Sequence, residues 1–168
     1  VHIKVVYVFL GARPIEKTEV DVSSGEKKTR TSKASGEQKV SVSGKTLGSQ
    51  IAAYAVKYVG NPYVYGGSSL TRGADCSGFV MRVYEHFGYH LSHSSAAQAG
   101  EGREVAVSSI QPGDLLFYRS GGRISHVTMY IGNGKVVHAS NSAPYPKGGI
   151  KISSVSYRTP CRAVRIIK

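Results

Sequence analysis

The residues best suited to chemistry lie in the stretch ADCSGFVMRVYEHFG, where a cysteine stands at the start of an apolar run with helical spacing. Cys76 is flanked by Asp75, Ser77 and Gly78, residue types that cap helices or allow a close backbone approach. A helix N-terminus lowers the pKa of a thiol through unpaired N–H groups and the helix dipole. The same N–H groups can stabilise the oxyanion of an acyl-transfer intermediate. The position of Cys76 therefore predicts a nucleophile.

A thiol nucleophile needs a histidine as its base and a third polar group that orients this base. His126 opens the strand-like run HVTMYIG, and His138 lies in VVHAS, directly after the turn signal GNGK. If the two runs pair as a hairpin, facing positions sum to about 267, and the histidines fall on neighbouring strands. Two histidines on one face of such a hairpin would supply a base and its orienting group. The remaining candidates are expected to be packed or surface histidines: His2, His86 and His90.

Three longer stretches in this order carry a family resemblance: GNPYVYGGSSLTRGADCSGFV, QPGDLLFY and HVTMYIGNGKVVHAS. They resemble the NlpC-type cell-wall cysteine peptidases over about residues 50–168. The resemblance implies a reduced papain-like α+β domain. In that domain Cys76 would be the nucleophile, His126 the base and His138 the residue that orients the base.

The resemblance also implies substrate-binding roles for Tyr63, in the PYVYGG element, and for the residues beside the nucleophile, Asp75 and Ser77. For Asp75 and Ser77 the alternative is a purely structural role as helix caps.

The reaction implied by the resemblance is hydrolysis of the peptide stems of bacterial peptidoglycan, between the D-γ-glutamyl residue and the diamino acid. It would proceed through a thioester and need no cofactor and no metal. Three alternatives remain open: an amidase that cuts the glycan–peptide link, an acyl or amide transferase, and a wall-binding module without catalysis. The intact set of Cys76, His126 and His138 argues against the last. A secreted or cell-wall-associated protein that acts as a monomer is expected.

Composition narrows the class of partner. The 168 residues carry a net charge of +12, spread along the chain, which favours anionic partners such as a wall polymer, although the charge could also serve solubility alone. No nucleic-acid-binding signature is present, so nucleic acid is not expected as a partner. No apolar run reaches the ~20 residues of a membrane span. No Cys/His spacing typical of zinc occurs.

The organisation of the chain suggests two parts. Residues 1–46 are predicted to be an N-terminal extension, either a linker or the remnant of a β-rich module, with strands in VHIKVVYVFL and KVSVSG. Residues 47–168 are predicted to form the peptidase domain, with helices near residues 49–60, 76–87 and 92–100 packed on an antiparallel meander. Since the chain lacks an initiator Met, it is interpreted as a processed protein or a fragment. Cys161 is expected to be a small buried residue, with both thiols free.

Overall fold

The N-terminal part of the chain contains a small antiparallel sheet. The computed structural model describes residues 3–10, 13–20, 40–43 and 46–168. The first three ranges are strands β1 (Ile3–Leu10), β2 (Arg13–Val20) and β3 (Val40–Ser43), arranged in the order β2-β1-β3. Both predicted strands are present, and β2 occupies part of the segment predicted as linker or β extension. Residues 21–39 of that segment lie outside the described residues, and the division at residue 46 remains a prediction.

Three helices follow, and each begins at a polar side chain that accepts a backbone hydrogen bond. They are α1 (Leu47–Val56), α2 (Cys76–His86) and α3 (Ser95–Gln98), capped by Thr46, Asp75 and Ser94. Capping side chains satisfy N–H groups that have no partner inside the helix. The chain leaves α2 through Gly88, which has a φ of 84°. The start of α2 therefore lies where the sequence predicts it, with the cysteine in its first turn.

A six-stranded antiparallel sheet forms the other layer of the domain. Its strands are β6 (Arg103–Val105), β7 (Leu115–Ser120), β8 (Arg123–Gly132), β9 (Lys135–Ala139), β10 (Ile150–Ser154) and β11 (Arg162–Arg165), in the order β10-β9-β8-β7-β11-β6. A two-stranded ribbon, β4 (Ser68–Ser69) and β5 (Gly73–Ala74), lies before α2. The α+β fold class is confirmed, and β7 to β10 form the predicted meander. The strand predicted in RAVRII is present as β11, but it pairs with β7 and does not continue the meander beyond β10. Strand β6 was not predicted, because this short edge strand has no apolar alternation.

Helix α2 packs its apolar face on the sheet. Phe79, Val80 and Val83 are fully buried in one cluster with Val127 and Met129 of β8. Burial of each such side chain is worth about 1.5–3 kcal/mol. The packing holds the first turn of α2 against the beginning of β8.

The β8–β9 hairpin turns at Asn133 and Gly134, whose φ values of 53° and 69° suit a tight hairpin turn. Met129 pairs with Val137, and the register shifts by one residue after Tyr130. Before this shift, the residue numbers of two facing positions therefore sum to one less than the predicted value. The error leaves the main expectation intact, since the two histidines still meet across neighbouring strands.

The expectation that Cys161 is buried is wrong. Its side chain is exposed, while its backbone N–H donates to the carbonyl of Phe117 at 2.8 Å. The residue lies just before β11, where the backbone already joins the sheet but the side chain turns to solvent. Cys76 and Cys161 are both free thiols, as predicted.

Candidate active site

Cys76 meets the sheet beside the first predicted histidine. Its Sγ lies 4.0 Å from the carbonyl oxygen of Ser125, the residue before His126. On the other side of His126, the backbone N–H of Val127 hydrogen-bonds the sulfur and lowers the thiol pKa. The thiol is partly buried. The α2–β8 contact therefore places the sulfur against the stretch of β8 that carries His126.

Burial raises the pKa of the Cys76 thiol above its ordinary value, and the charge of Asp75 acts in the same direction. Hydrogen bonding from the backbone N–H groups of Val127, Ser77 and Cys76 itself lowers this pKa, but burial is the larger effect. The lowered pKa predicted from the helix N-terminus is therefore wrong for the free protein. Since the thiol is protonated at neutral pH, it needs a base to take its proton.

The Asp75 carboxylate is used as a helix cap. Its Oδ1 accepts the N–H of Gly78 at 2.7 Å and lies 2.8 Å from Nε2 of His93, while Oδ2 accepts the N–H of Gly66 at 3.0 Å. The Ser77 hydroxyl is buried and donates to the same Oδ1 at 3.3 Å. Asp75 is therefore the helix cap, and Ser77 supports this cap by donating to its carboxylate instead of capping the helix itself. A substrate contact of either residue remains a prediction.

His126 and His138 form a direct hydrogen bond. Nε2 of His126 lies 2.8 Å from Nδ1 of His138, and Nε2 of His138 lies 2.9 Å from the hydroxyl oxygen of Ser153. The three residues lie on the neighbouring strands β8, β9 and β10, so the order of the strands sets the order of the hydrogen-bonded side chains. Because His138 is only 1% exposed, its ring nitrogens form these two hydrogen bonds out of contact with solvent.

One arrangement of protons makes His126 a base. Its Nδ1 must be unprotonated, so Nε2 carries the proton and donates to Nδ1 of His138. His138 then carries its own proton on Nε2 and donates to the oxygen of Ser153. Each hydrogen bond fixes the tautomer of the next ring, so Ser153 acts on His126 through His138. The Nδ1 atom of His126 is left to receive the thiol proton.

Both rings are neutral over the physiological pH range. Burial, followed by the positive charge of Arg158, lowers the pKa of His126 to about 4. Burial also lowers the pKa of His138 to about 3, with smaller effects from the charges of His126 and Lys151. A neutral imidazole can accept a proton from the neutral Cys76 thiol, so both partners start uncharged.

Two tyrosines border this group of residues, Tyr63 near Cys76 and Tyr157 near His138. Tyr63 forms an isolated bridge with Ala74, and its pKa is raised by burial and then by the charges of Cys76 and Asp75. This places the predicted substrate-binding tyrosine next to the thiol. Tyr157 was missed, and its ring centroid lies 5.1 Å from that of His138. It follows β10 in a 3₁₀ turn, a position without a periodic sequence signal.

Helix α3 and the loop before it form hydrogen bonds with the first turn of α2. The buried Gln98 donates through Nε2 to the carbonyl of Ser77 at 2.9 Å and to that of Ser92 at 2.7 Å. His93, on the same loop, reaches Asp75. Neither contact was predicted, because both join segments that are distant in sequence. They connect the first turn of α2 to the segment that carries Ser92, His93 and Gln98.

Within residues 46–168, no three metal-binding side chains come close enough to share an ion. The helices described here include none with the length and hydropathy to cross a bilayer.

An α+β domain that brings a helix-borne cysteine to paired strand histidines has the architecture of a papain-like cysteine peptidase. The sequence model of the NlpC/P60 family matches residues 60–162, and the chain belongs to that family. The family predicted from the sequence motifs is therefore confirmed.

Several relatives are similar over the same region. Protein P54 of Enterococcus faecium is 40% identical over 122 residues, which cover 72% of this chain and 23% of that protein. The gamma-DL-glutamyl hydrolase of Bacillus subtilis is 37% identical over 112 residues, 64% of this chain and 27% of that protein. The crystal structure of the NlpC/p60 domain of the peptidoglycan hydrolase SagA superposes with a TM-score of 0.62 at 38% identity, covering 71% of this chain and 99% of that domain. The chain thus spans about a quarter of the two curated relatives.

Proposed function

We propose that the protein is a cysteine endopeptidase that hydrolyses peptidoglycan stem peptides at the D-γ-glutamyl–diamino acid bond. The observation that carries the proposal is the 2.8 Å contact between Nε2 of His126 and Nδ1 of His138, because it leaves Nδ1 of His126 for a thiol. Cys76 lies against the same stretch of β8. In this proposal Cys76 is the nucleophile, His126 the base and His138 the residue that orients the base.

Attack on the substrate transfers one proton and forms one bond. The Cys76 sulfur bonds to the carbonyl carbon of the substrate while its proton moves to Nδ1 of His126. The resulting imidazolium is stabilised by its hydrogen bond to His138. In this proposal, the backbone N–H of Cys76, at the start of α2, stabilises the oxyanion.

The second half of the reaction returns the site to its starting state. His126 gives its proton to the leaving amine as the carbon–nitrogen bond breaks, which leaves a thioester on Cys76. A water molecule then loses a proton to His126 and attacks the carbonyl carbon of the thioester. The carbon–sulfur bond breaks and the carboxylic acid is released, while His126 returns the proton to the sulfur of Cys76. His126 alternates between base and acid, which suits a ring that is neutral at rest.

The substrate assignment is supported by what relatives are named for. One relative is a gamma-DL-glutamyl hydrolase, and a solved domain belongs to a peptidoglycan hydrolase. The partner proposed here is accordingly the peptidoglycan stem, at a location where wall is present, outside the cytoplasmic membrane. The net charge of +12 suits an anionic wall, and contact with an anionic wall polymer is proposed as an accessory interaction.

The test is mass spectrometry of products from purified muropeptides incubated with wild type, Cys76→Ala and Cys161→Ser. We expect wild type and Cys161→Ser to cut between the γ-glutamyl residue and the diamino acid, and Cys76→Ala to be inactive. Release of intact stems from the glycan would instead identify an amidase. Failure of wild type to cut any muropeptide would contradict the proposal and favour a wall-binding module.

A further inference from the structure

The segment after β10 forms a wall beside the histidines. The ring centroid of Tyr157 lies 5.6 Å from that of Tyr118, and the Tyr118 ring lies 5.9 Å from the ring of His126. The next residue, Arg158, places its Cζ 5.3 Å from the centroid of the Tyr118 ring. The guanidinium group of Arg158 therefore packs on the aromatic side chains that lie next to His126, the proposed base.

Arg158 is exposed but held in place. Its Nη2 donates to the carbonyl of Arg119 at 2.9 Å, and the ring of Tyr118 supports the planar group. These contacts leave donors of the guanidinium available, since the group carries five N–H bonds in a fork that matches a carboxylate. A held Arg loses less conformational freedom on binding than a free one.

No acidic side chain of residues 46–168 neutralises the charge of Arg158. Three other arginines form ion pairs: Arg82 with Glu85, Arg162 with Glu104, and Arg165 with Asp114. Across residues 46–168, no carboxylate is within ion-pair distance of Arg158. An arginine beside a reaction centre with no acidic partner is suited to an anion that arrives with the substrate.

This cation also opposes the chemistry when the site is empty. The charge of Arg158 contributes to lowering the pKa of His126, and so disfavours the imidazolium that forms during attack. A substrate anion paired with Arg158 would offset that repulsion at the moment when His126 takes the proton. Recognition of a carboxylate would therefore help both binding and the chemical step.

We propose that Arg158 is a specificity-determining residue that binds a carboxylate on an amino acid adjoining the scissile bond. The inference rests on the proposed function and specifies a chemical group that the site recognises on the stem peptide. A γ-glutamyl linkage leaves the α-carboxylate of that glutamate unbonded, and a diamino acid with two carboxyl groups, such as diaminopimelate, keeps one of them free. Either group presents the two oxygens that a guanidinium binds in a bidentate manner.

The experiment compares three synthetic stem peptides: one with both carboxylates, one amidated at the glutamate and one amidated at the diamino acid. We expect amidation of the recognised carboxylate to lower kcat/KM of the wild type by about tenfold to a hundredfold, the effect of one charge-assisted contact. The peptide that suffers the loss identifies the source of the carboxylate.

The variants are Arg158→Gln and a matched control, Arg103→Gln, which removes the same charge from the exposed edge strand β6. Arg158→Gln should bring the acid and the amide to within about twofold, and Arg103→Gln should keep the wild-type ratio. The ratio is measured on one protein preparation, so it does not depend on the folded fraction. A purely structural role for Arg158 would lower activity on both peptides equally and leave the ratio unchanged.

The outcomes separate this inference from the proposed function. Equal cleavage of acid and amide by wild type, or an unchanged ratio in Arg158→Gln, would overturn carboxylate recognition while the endopeptidase assignment stands. Loss of discrimination in Arg103→Gln as well would show a general effect of net charge and would also overturn it. Cleavage of none of the three peptides by wild type would refute the proposed function, and the inference with it.

Discussion

The two sides of the site are built in different ways. On the helix side, the Asp75 carboxylate has four hydrogen-bonding partners in and around the first turn of α2, and its negative charge raises the thiol pKa. On the sheet side, His126, His138 and Ser153 form a line of neutral groups, and the nearby charges are positive. In the proposed mechanism, the helix side positions the nucleophile and the sheet side controls where its proton goes. Changes on the two sides should therefore have different consequences.

The largest effect is expected on the sheet side, at His126. His126→Ala removes the group that takes and returns the proton, and should lower kcat by about 10²- to 10⁴-fold. Steady-state hydrolysis of a stem peptide measures the loss. The matched control is His86→Ala, because His86 stacks on Tyr54 at 4.0 Å between ring centroids, away from the thiol. Comparable loss in both variants would contradict the role of His126.

The acid limb of the pH profile is the next test of the sheet side. Since the pKa of His126 is about 4, the base stays neutral as the pH falls from 7 to 5, and protonates only near pH 4. A ring at its ordinary pKa of 6.5 would lose about 30-fold in kcat/KM by pH 5. We expect less than about a twofold loss there. The amidated peptides provide a control with one fewer ionising carboxylate, and an acid limb near pH 6.5 would contradict the neutral pair.

Ser153 should have a smaller effect that acts through His138. Ser153→Ala removes the acceptor for Nε2 of His138 and should lower kcat by about twofold to tenfold with KM unchanged. Ser153→Thr keeps the hydroxyl and should restore activity. Ser154→Ala is the matched control, since the hydroxyl of Ser154 contacts Ser156 instead of a histidine. Equal loss in the alanine and threonine variants would show that packing, and not the hydrogen bond, matters at Ser153.

The smallest effect is expected on the helix side, at Asp75. Asp75→Asn removes the charge that raises the thiol pKa, so this pKa should fall, while asparagine caps a helix about as well as aspartate and should keep α2 in place. The pH dependence of alkylation, measured in a Cys161→Ser background, reports the thiol pKa. Ser94→Ala, which removes the cap of α3, should lower stability without moving it. An unchanged alkylation profile in Asp75→Asn would contradict the electrostatic link, and a raised KM would indicate the substrate contact predicted for Asp75.

The same contrast explains how far the sequence could lead. The helix side is local: a cap residue, a cysteine and an apolar spacing of three and four predict the start of α2 and its buried face. The pairing of His126 with His138 is also local, because one tight turn joins their strands. Ser153 comes after the loop between β9 and β10, and Arg158 comes after a 3₁₀ turn. The geometry of these two connections produces no periodic pattern in the sequence, so neither residue could be placed from it.

The prediction of a lowered pKa for Cys76 was wrong for a different physical reason. The sequence shows that the thiol lies at a helix N-terminus, which lowers its pKa. It does not show how closely β8 covers the sulfur, and that burial decides the direction. The exposure of Cys161 and the contact of His93 with Asp75 likewise depend on which distant segments meet.

Hydrolysis through Cys76 as the nucleophile beside His126 can be tested directly by covalent labelling. The reagent is a stem-peptide analogue with a γ-glutamyl chloromethyl ketone in place of the scissile amide, and peptide mapping and residual activity are then measured. We expect one adduct, located on Cys76, with hydrolysis lost in proportion to labelling and with Cys161 unmodified. Full hydrolysis by protein that is stoichiometrically labelled at Cys76, or inactivation that maps to Cys161, would contradict this expectation.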